Sequence, residues 1–124
     1  YDPDNAMVLN NYAYFLSLEG RELEKALTMS SRAIALTDNN PTYLDTHAWV
    51  LFKLGRTAEA KKVMQQAIAL DGQESAALLV HYGDILHAMG EQFMAEIYWR
   101  KGLEKGYDAD QITRRMEQGK AEKE

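Results

Sequence analysis

Three glycines, Gly20, Gly55 and Gly90, stand 35 residues apart. Each is followed at a nearly fixed distance by an alanine (Ala26, Ala60, Ala95), and seven residues later by a second small residue (Ala33, Ala67, Gly102). Self-similarity at this period marks a row of like supersecondary units, each of which buries its apolar face only against its neighbours. It constrains the fold far more tightly than it constrains the function.

Apolar spacing inside each unit is helical. Over Ala6 to Leu18, Leu9, Tyr12, Ala13 and Leu16 recur at three and four residues. Asp4 and Asn5 stand where an N-cap belongs and Gly20 where a left-handed C-terminal residue belongs. A second helix from about Arg21 to Leu36 turns Leu23, Ala26, Leu27, Ser30, Ala33 and Ile34 inward. The next pair has Leu44, His47, Ala48 and Leu51, then Ala60, Val63, Met64, Ala67 and Ile68. The third has Leu79, Tyr82, Gly83 and Leu86, then Ala95, Trp99, Gly102 and Leu103. Small residues set at Ala13 and Ala33, Ala48 and Ala67, and Gly83 and Gly102 let antiparallel helices approach closely. The turn after Gly20 is one residue longer than those after Gly55 and Gly90.

Between pairs, Asp38-Asn39-Asn40-Pro41 is turn chemistry leading into a proline at a first helical position, and Asp71-Gly72 breaks the fourth helix. The opening Tyr1-Asp2-Pro3-Asp4-Asn5 matches these links, so it reads as the link from a missing upstream repeat and the chain as part of a longer array. The boundaries that follow are a link over 1–5, repeats over 6–40, 41–74 and 75–107, a capping helix over 108–119 and a frayed tail over 120–124. In the capping helix, Asp108 or Asp110 serves as cap, and Ile112 and Met116 form a thin apolar stripe suited to covering an open end.

Composition removes whole classes of function. The net charge is −5, without the basic footprint that phosphate backbones require, so nucleic acid is not an expected partner. No run is long and apolar enough to span a membrane. The absence of cysteine excludes disulfides and thiolate metal sites.

The third unit reads Leu79-x2-Tyr82-Gly83-x2-Leu86 then Ala95-x3-Trp99. The second reads Leu44-x2-His47-Ala48-x2-Leu51 then Ala60-x3-Met64, and the first Leu9-x2-Tyr12-Ala13-x2-Leu16 then Ala26-x3-Ser30. Three copies in phase, over about residues 6–107, resemble the tetratricopeptide repeat (TPR). The wording of the middle repeat is similar to the C-terminal repeats of long bacterial members, several of which are adaptors of the cell envelope. That resemblance leans the compartment towards the periplasm. It implies an all-α, right-handed α-solenoid of three helix-turn-helix TPR units plus a C-terminal capping helix, with no cofactor.

In this family the first helices of successive repeats line a concave groove that receives an extended peptide or a partner's helix. Carried onto this chain, that face is Met7, Asn10, Asn11, Tyr14 and Ser17, then Thr42, Asp45, Thr46, Trp49, Phe52 and Lys53, then Ala77, Val80, His81, Asp84 and His87. Asn10, Tyr14, Asp45, Trp49, His81 and Asp84 are the candidate partner-binding residues, an aromatic and polar mixture suited to recognition. Trp49 also suits packing between neighbouring first helices. Chaperone-binding members hold a C-terminal carboxylate with a clamp of Lys, Asn and Arg. Here Asn10, Tyr14, Ala77 and His81 stand at those positions, so the clamp is absent.

His81, Asp84 and His87 are chemically competent metal ligands, but residues six apart diverge around a helix, and the expectation is a polar groove wall with no metal. His47 reads as a packed histidine. No phosphate loop, nucleophile elbow or His-Glu-x2-His motif is present, and an enzyme is not expected. The chain therefore reads as a non-catalytic module for a protein or peptide ligand. The alternative is a set of terminal repeats that cap or dimerise a longer array through Ile112, Met116 and the last helix.

Overall fold

In a computed structural model the described residues are 5–70 and 75–123, with side chains described to residue 118. Pro3, Asp4 and the Asp71-Gly72 break lie outside them. Among the described residues the chain forms seven α-helices and no strand: α1 Ala6–Glu19, α2 Leu23–Thr37, α3 Pro41–Lys53, α4 Thr57–Ala69, α5 Ala76–Ala88, α6 Gln92–Glu104 and α7 Ala109–Lys123. They fall into two compact units, Tyr1–Asp71 and Gly72–Glu124.

The helix starts follow a rule visible in the sequence. The first helix of each pair follows a polar link and is capped by a side chain. Asn5 Oδ1 accepts from Val8 N at 3.1 Å, Asn40 Oδ1 from Thr42 N at 2.9 Å and Ser75 Oγ from Leu78 N at 3.3 Å. The second helices follow a glycine turn and have no side-chain cap at Glu22, Arg56 or Glu91. Gly20, Gly55 and Gly90 have φ of +69°, +84° and +82°, the left-handed conformation that reverses the chain without a Cβ penalty. The extra residue of the first turn has a conformational cost. Glu22 is itself left-handed, at φ +49°, where a non-glycine side chain is strained.

In the first unit, α1 packs on α2, α3 on α4, and α3 against both α1 and α2. Leu9, Ala13, Leu16, Ala26, Met29, Ala33 and Val50 form one buried cluster, with Leu27, Tyr43 and Leu54 packed against it. Tyr12, expected inward, is on the exposed side of α1. Its three-four spacing fits either edge of the buried stripe, and spacing alone does not say which edge meets a neighbour.

In the second unit α5 pairs with α6, and α7 lies on α6. Gly83 and Gly102 do not meet each other as expected. A Cβ on Gly83 would collide with Trp99 Cδ1 and Nε1, and one on Gly102 with Val80 Cγ2. Antiparallel pairing staggers the two glycines, so each accepts a large side chain from the opposite helix. Asp108 caps α7, accepting from Gln111 N at 3.0 Å, and Ile112 is buried. The helix runs to Lys123 instead of stopping at 119. A lone Gly119 costs a helix only about 1 kcal/mol, and the residues after it, Lys120 to Lys123, are good helix formers.

Candidate functional site

On α1, Asn10 and Tyr14 are one turn apart, as are Asp45 and Trp49 on α3. The two helices are in contact, so these four residues belong to one helical layer. Tyr14 and Asp45 are half-buried, whereas Asn10 and Trp49 are only 7% and 9% exposed. Trp49 lies against Phe52, with ring centroids 5.1 Å apart, and Lys53 Nζ is 5.5 Å from the Trp49 ring. The indole thus belongs in large part to the packed layer. Asn10 Nδ2 reaches Asn11 Oδ1 at a long 3.5 Å, while its own Oδ1 is buried with no hydrogen-bond donor. An amide offers both a donor and an acceptor to a peptide backbone, and a buried acceptor left unmatched is costly.

The layer has a polar support. Ser17 is buried and donates to Tyr14 O at 2.6 Å, and Thr46 is buried on α3. Behind it, Ser30 Oγ of α2 lies 2.7 Å from His47 Nδ1 of α3, tying the first repeat to the second. Burial pushes the His47 pKa below its usual value and the Arg56 charge adds to this, with Glu59 opposing. His47 is therefore a packed, neutral imidazole that positions α3.

In the second unit His81 is buried, at 7% exposure, and Asp84 is half-buried. Asp84 occupies the slot that Tyr14 and Trp49 hold in the earlier repeats, but its carboxylate is committed inside the unit. Asp84 Oδ1 accepts from Trp99 Nε1 at 3.0 Å and from Arg115 Nε at 2.8 Å, and Oδ2 accepts from Arg115 Nη2 at 3.1 Å. The Arg115 guanidinium also sits 5.6 Å from the Tyr107 ring. His87 Nδ1 pairs with Gln92 Oε1. Among the described residues no three His, Asp or Glu side chains gather to hold a metal ion, and no helix is long and apolar enough to cross a membrane.

Sequence reasoning placed these residues on one face. It did not find Arg115, which meets Asp84 across 31 residues. Nor did it find the burial of Asn10, Ser17, Thr46 and His81, because polar residues that face a groove and polar residues packed beneath it share the same spacing.

Paired antiparallel helices, closed by left-handed glycines at a 35-residue period and packed through small residues, define an all-α helical-repeat fold of the kind seen in tetratricopeptide-repeat domains. Comparison with known proteins agrees. A TPR repeat-containing protein of Pseudomonas aeruginosa is 31% identical over 67 residues, or 54% of this chain, and the match spans 11% of that protein's length. The chain is thus a partial relative of a longer TPR protein. The first TPR domain of human RPAP3 shares the fold with a TM-score of 0.81 at 21% identity, over 98% of this chain and 97% of that one. The first TPR of Spaghetti (RPAP3), bound to the HSP90 peptide SRMEEVD, also gives 0.81, at 18% identity over 98% and 94%. No protein-family profile matches the chain.

Proposed function

We propose that the chain is a non-catalytic protein-interaction module that holds an extended peptide or a partner's helix along the first helices of its repeats. Within the described units the binding surface is the α1–α3 layer, with Tyr14 and Asp45 in reach of a ligand and Asn10 beside them. The observation that carries this is the buried Asn10 Oδ1, an acceptor with no donor, one helical turn from the half-buried Tyr14 and in the same α1–α3 layer as the half-buried Asp45. Trp49 and Phe52 form the aromatic floor. His81 and Asp84 hold corresponding faces of α5, where Asp84 first serves Arg115 and Trp99. The fold neighbour that carries a bound peptide supports the same mode.

The test is a peptide-display selection against the chain, followed by titration of the selected peptide into isotopically labelled protein. Amide shifts should centre on Asn10, Tyr14 and Asp45, and a Tyr14→Ala/Asp45→Ala variant should bind at least about tenfold more weakly. Shifts confined to α2 and α4, with affinity unchanged in the variant, would move binding to the opposite face.

A further inference from the structure

Asp84 is the one carboxylate in the slot that Tyr14 and Trp49 hold in the earlier repeats. Its surroundings are fixed by parts of the chain other than α7. Trp99 of α6 is enclosed at 1% exposure, its ring edge seated where a Cβ on Gly83 would be, and its Nε1 donates to Asp84 Oδ1 at 3.0 Å. Tyr107 belongs to the link between α6 and α7, and its backbone N–H donates to Gly102 O of α6 at 3.0 Å. A half-buried carboxylate and an aromatic ring are thus carried by α5, α6 and the link, and both meet a single guanidinium.

That guanidinium is Arg115. Its Nε donates to Asp84 Oδ1 at 2.8 Å and its Nη2 to Oδ2 at 3.1 Å, with the cation 5.6 Å from the Tyr107 ring. A two-pronged carboxylate contact beside an aromatic ring is how arginine is distinguished from other cations. The helix that delivers it is otherwise thinly attached. Among the side chains described on α7, only Ile112 is buried, while Thr113 and Glu117 are exposed and Met116 is half-buried. An open groove of about 370 Å³ lies between α6 and α7, lined by Arg100 and Leu103 of the one and Ile112, Thr113 and Met116 of the other. The arginine is closely held on a helix whose apolar stripe is incompletely seated.

We propose that Asp84, Trp99 and Tyr107 form an arginine-binding site that Arg115 fills in cis, and that an arginine of a partner polypeptide takes it over when α7 lifts. The last helix is then a competitor carried by the chain itself. A ligand that needs the open form has its affinity reduced by the fraction of chains that are open. Lysine is a poor occupant, because an ammonium is a point charge without the planar fork that matches two carboxylate oxygens. The site lies in the second unit, so it is tested separately from the α1–α3 layer and does not depend on that layer binding anything.

The test reads the Trp99 indole N–H by NMR in a chain with two tryptophans, whose signals Trp49→Phe tells apart. The probe is N-acetyl-arginine amide, with the blocked lysine analogue beside it at equal ionic strength. In the Arg115→Met chain the arginine probe should shift the indole signal with a Kd at least about tenfold lower than in the parent, where the cis guanidinium competes. The lysine probe should bind at least about tenfold more weakly than the arginine probe. Asp84→Asn in the same background should abolish the shift. A second readout needs no variant: in the parent, about 50 mM arginine probe should accelerate amide exchange over residues 111–118 at least about twofold beyond the lysine probe, with α1–α4 unchanged. No arginine-specific shift in the Arg115→Met chain would overturn the site, and no arginine-specific acceleration in the parent would overturn its takeover from α7. An equal response to lysine would reduce the site to bare charge and overturn it as well. Tighter binding of free arginine than of the blocked form would assign the site to a small molecule and overturn the polypeptide ligand.

Discussion

Arg115→Met should release α7 without unfolding the rest. The contacts of this helix include Ile112, buried at 3% exposure, and the fork of Arg115 on Asp84 at 2.8 and 3.1 Å. Full burial of an isoleucine side chain contributes about 2 kcal/mol. The ion pair is mostly shielded, its side chains being 22% and 16% exposed, so it belongs above the surface pairs worth little. Hydrogen bonds to charged groups contribute about 1.5–3 kcal/mol. Methionine keeps the stem's packing near Tyr107 and removes only the fork. A loss of about 2 kcal/mol raises the opening constant of α7 roughly 30-fold, at 1.4 kcal/mol per decade. Hydrogen exchange over residues 111–118, read by mass spectrometry, should accelerate by that factor, with α1–α4 unaffected. Asp84→Asn should give a similar acceleration, and the double variant should show the two losses to be non-additive. Acceleration below about threefold would make the fork a solvent-screened pair and refute the reasoning. Equal acceleration in α1–α4 would refute the local character of the latch.

Three further outcomes follow from the geometry. Gly83→Ala should destabilise the second unit by about 2 kcal/mol in thermal unfolding, because the new methyl displaces the Trp99 indole, itself held by Asp84. The His47 pKa is lowered in the fold from 6.5, so its contribution is fully present above that value and is lost as pH falls through it towards the folded pKa. Denaturation of the chain and of His47→Asn at pH 7.5 and pH 5 should therefore show the parent losing more, and equal losses would exclude His47. The peptide SRMEEVD, bound by the Spaghetti neighbour, should bind this chain with a Kd weaker than about 1 mM in calorimetry, since Asn10, Tyr14, Ala77 and His81 hold the clamp positions. Micromolar binding would overturn that reading.

The helical pairs were legible because their determinants are local and repeated. A left-handed glycine, an alanine at the close approach and a capping side chain each act within a few residues, and the period shows them three times over. The spatial role of each residue was less legible. The spacing that set Tyr12 inward and Asn10 outward fits a stripe shifted by one position, and only contacts between helices decide between them. Asp84 reads as a groove residue until α7 brings Arg115 to it, a pairing that no local pattern encodes. The glycines at 83 and 102 signalled close packing, but not that Trp99 and Val80 are what they accommodate. The end of α7 was misplaced because a single glycine is a weak stop once the residues after it favour helix.

The two tryptophans of the chain, Trp49 and Trp99, fall one in each compact unit. Trp99 is enclosed, donates to Asp84 and has the His87 ring 5.5 Å from its own, whereas Trp49 rests on Phe52 beneath the lysine ammonium. The molecule thus carries two intrinsic fluorophores in distinct surroundings, each reporting on its own half. With Trp49→Phe the tryptophan emission comes from the second unit alone, and with Trp99→Phe from the first. Denaturation curves of the two variants then tell directly whether the halves melt as a single cooperative block or in sequence, without any attached dye.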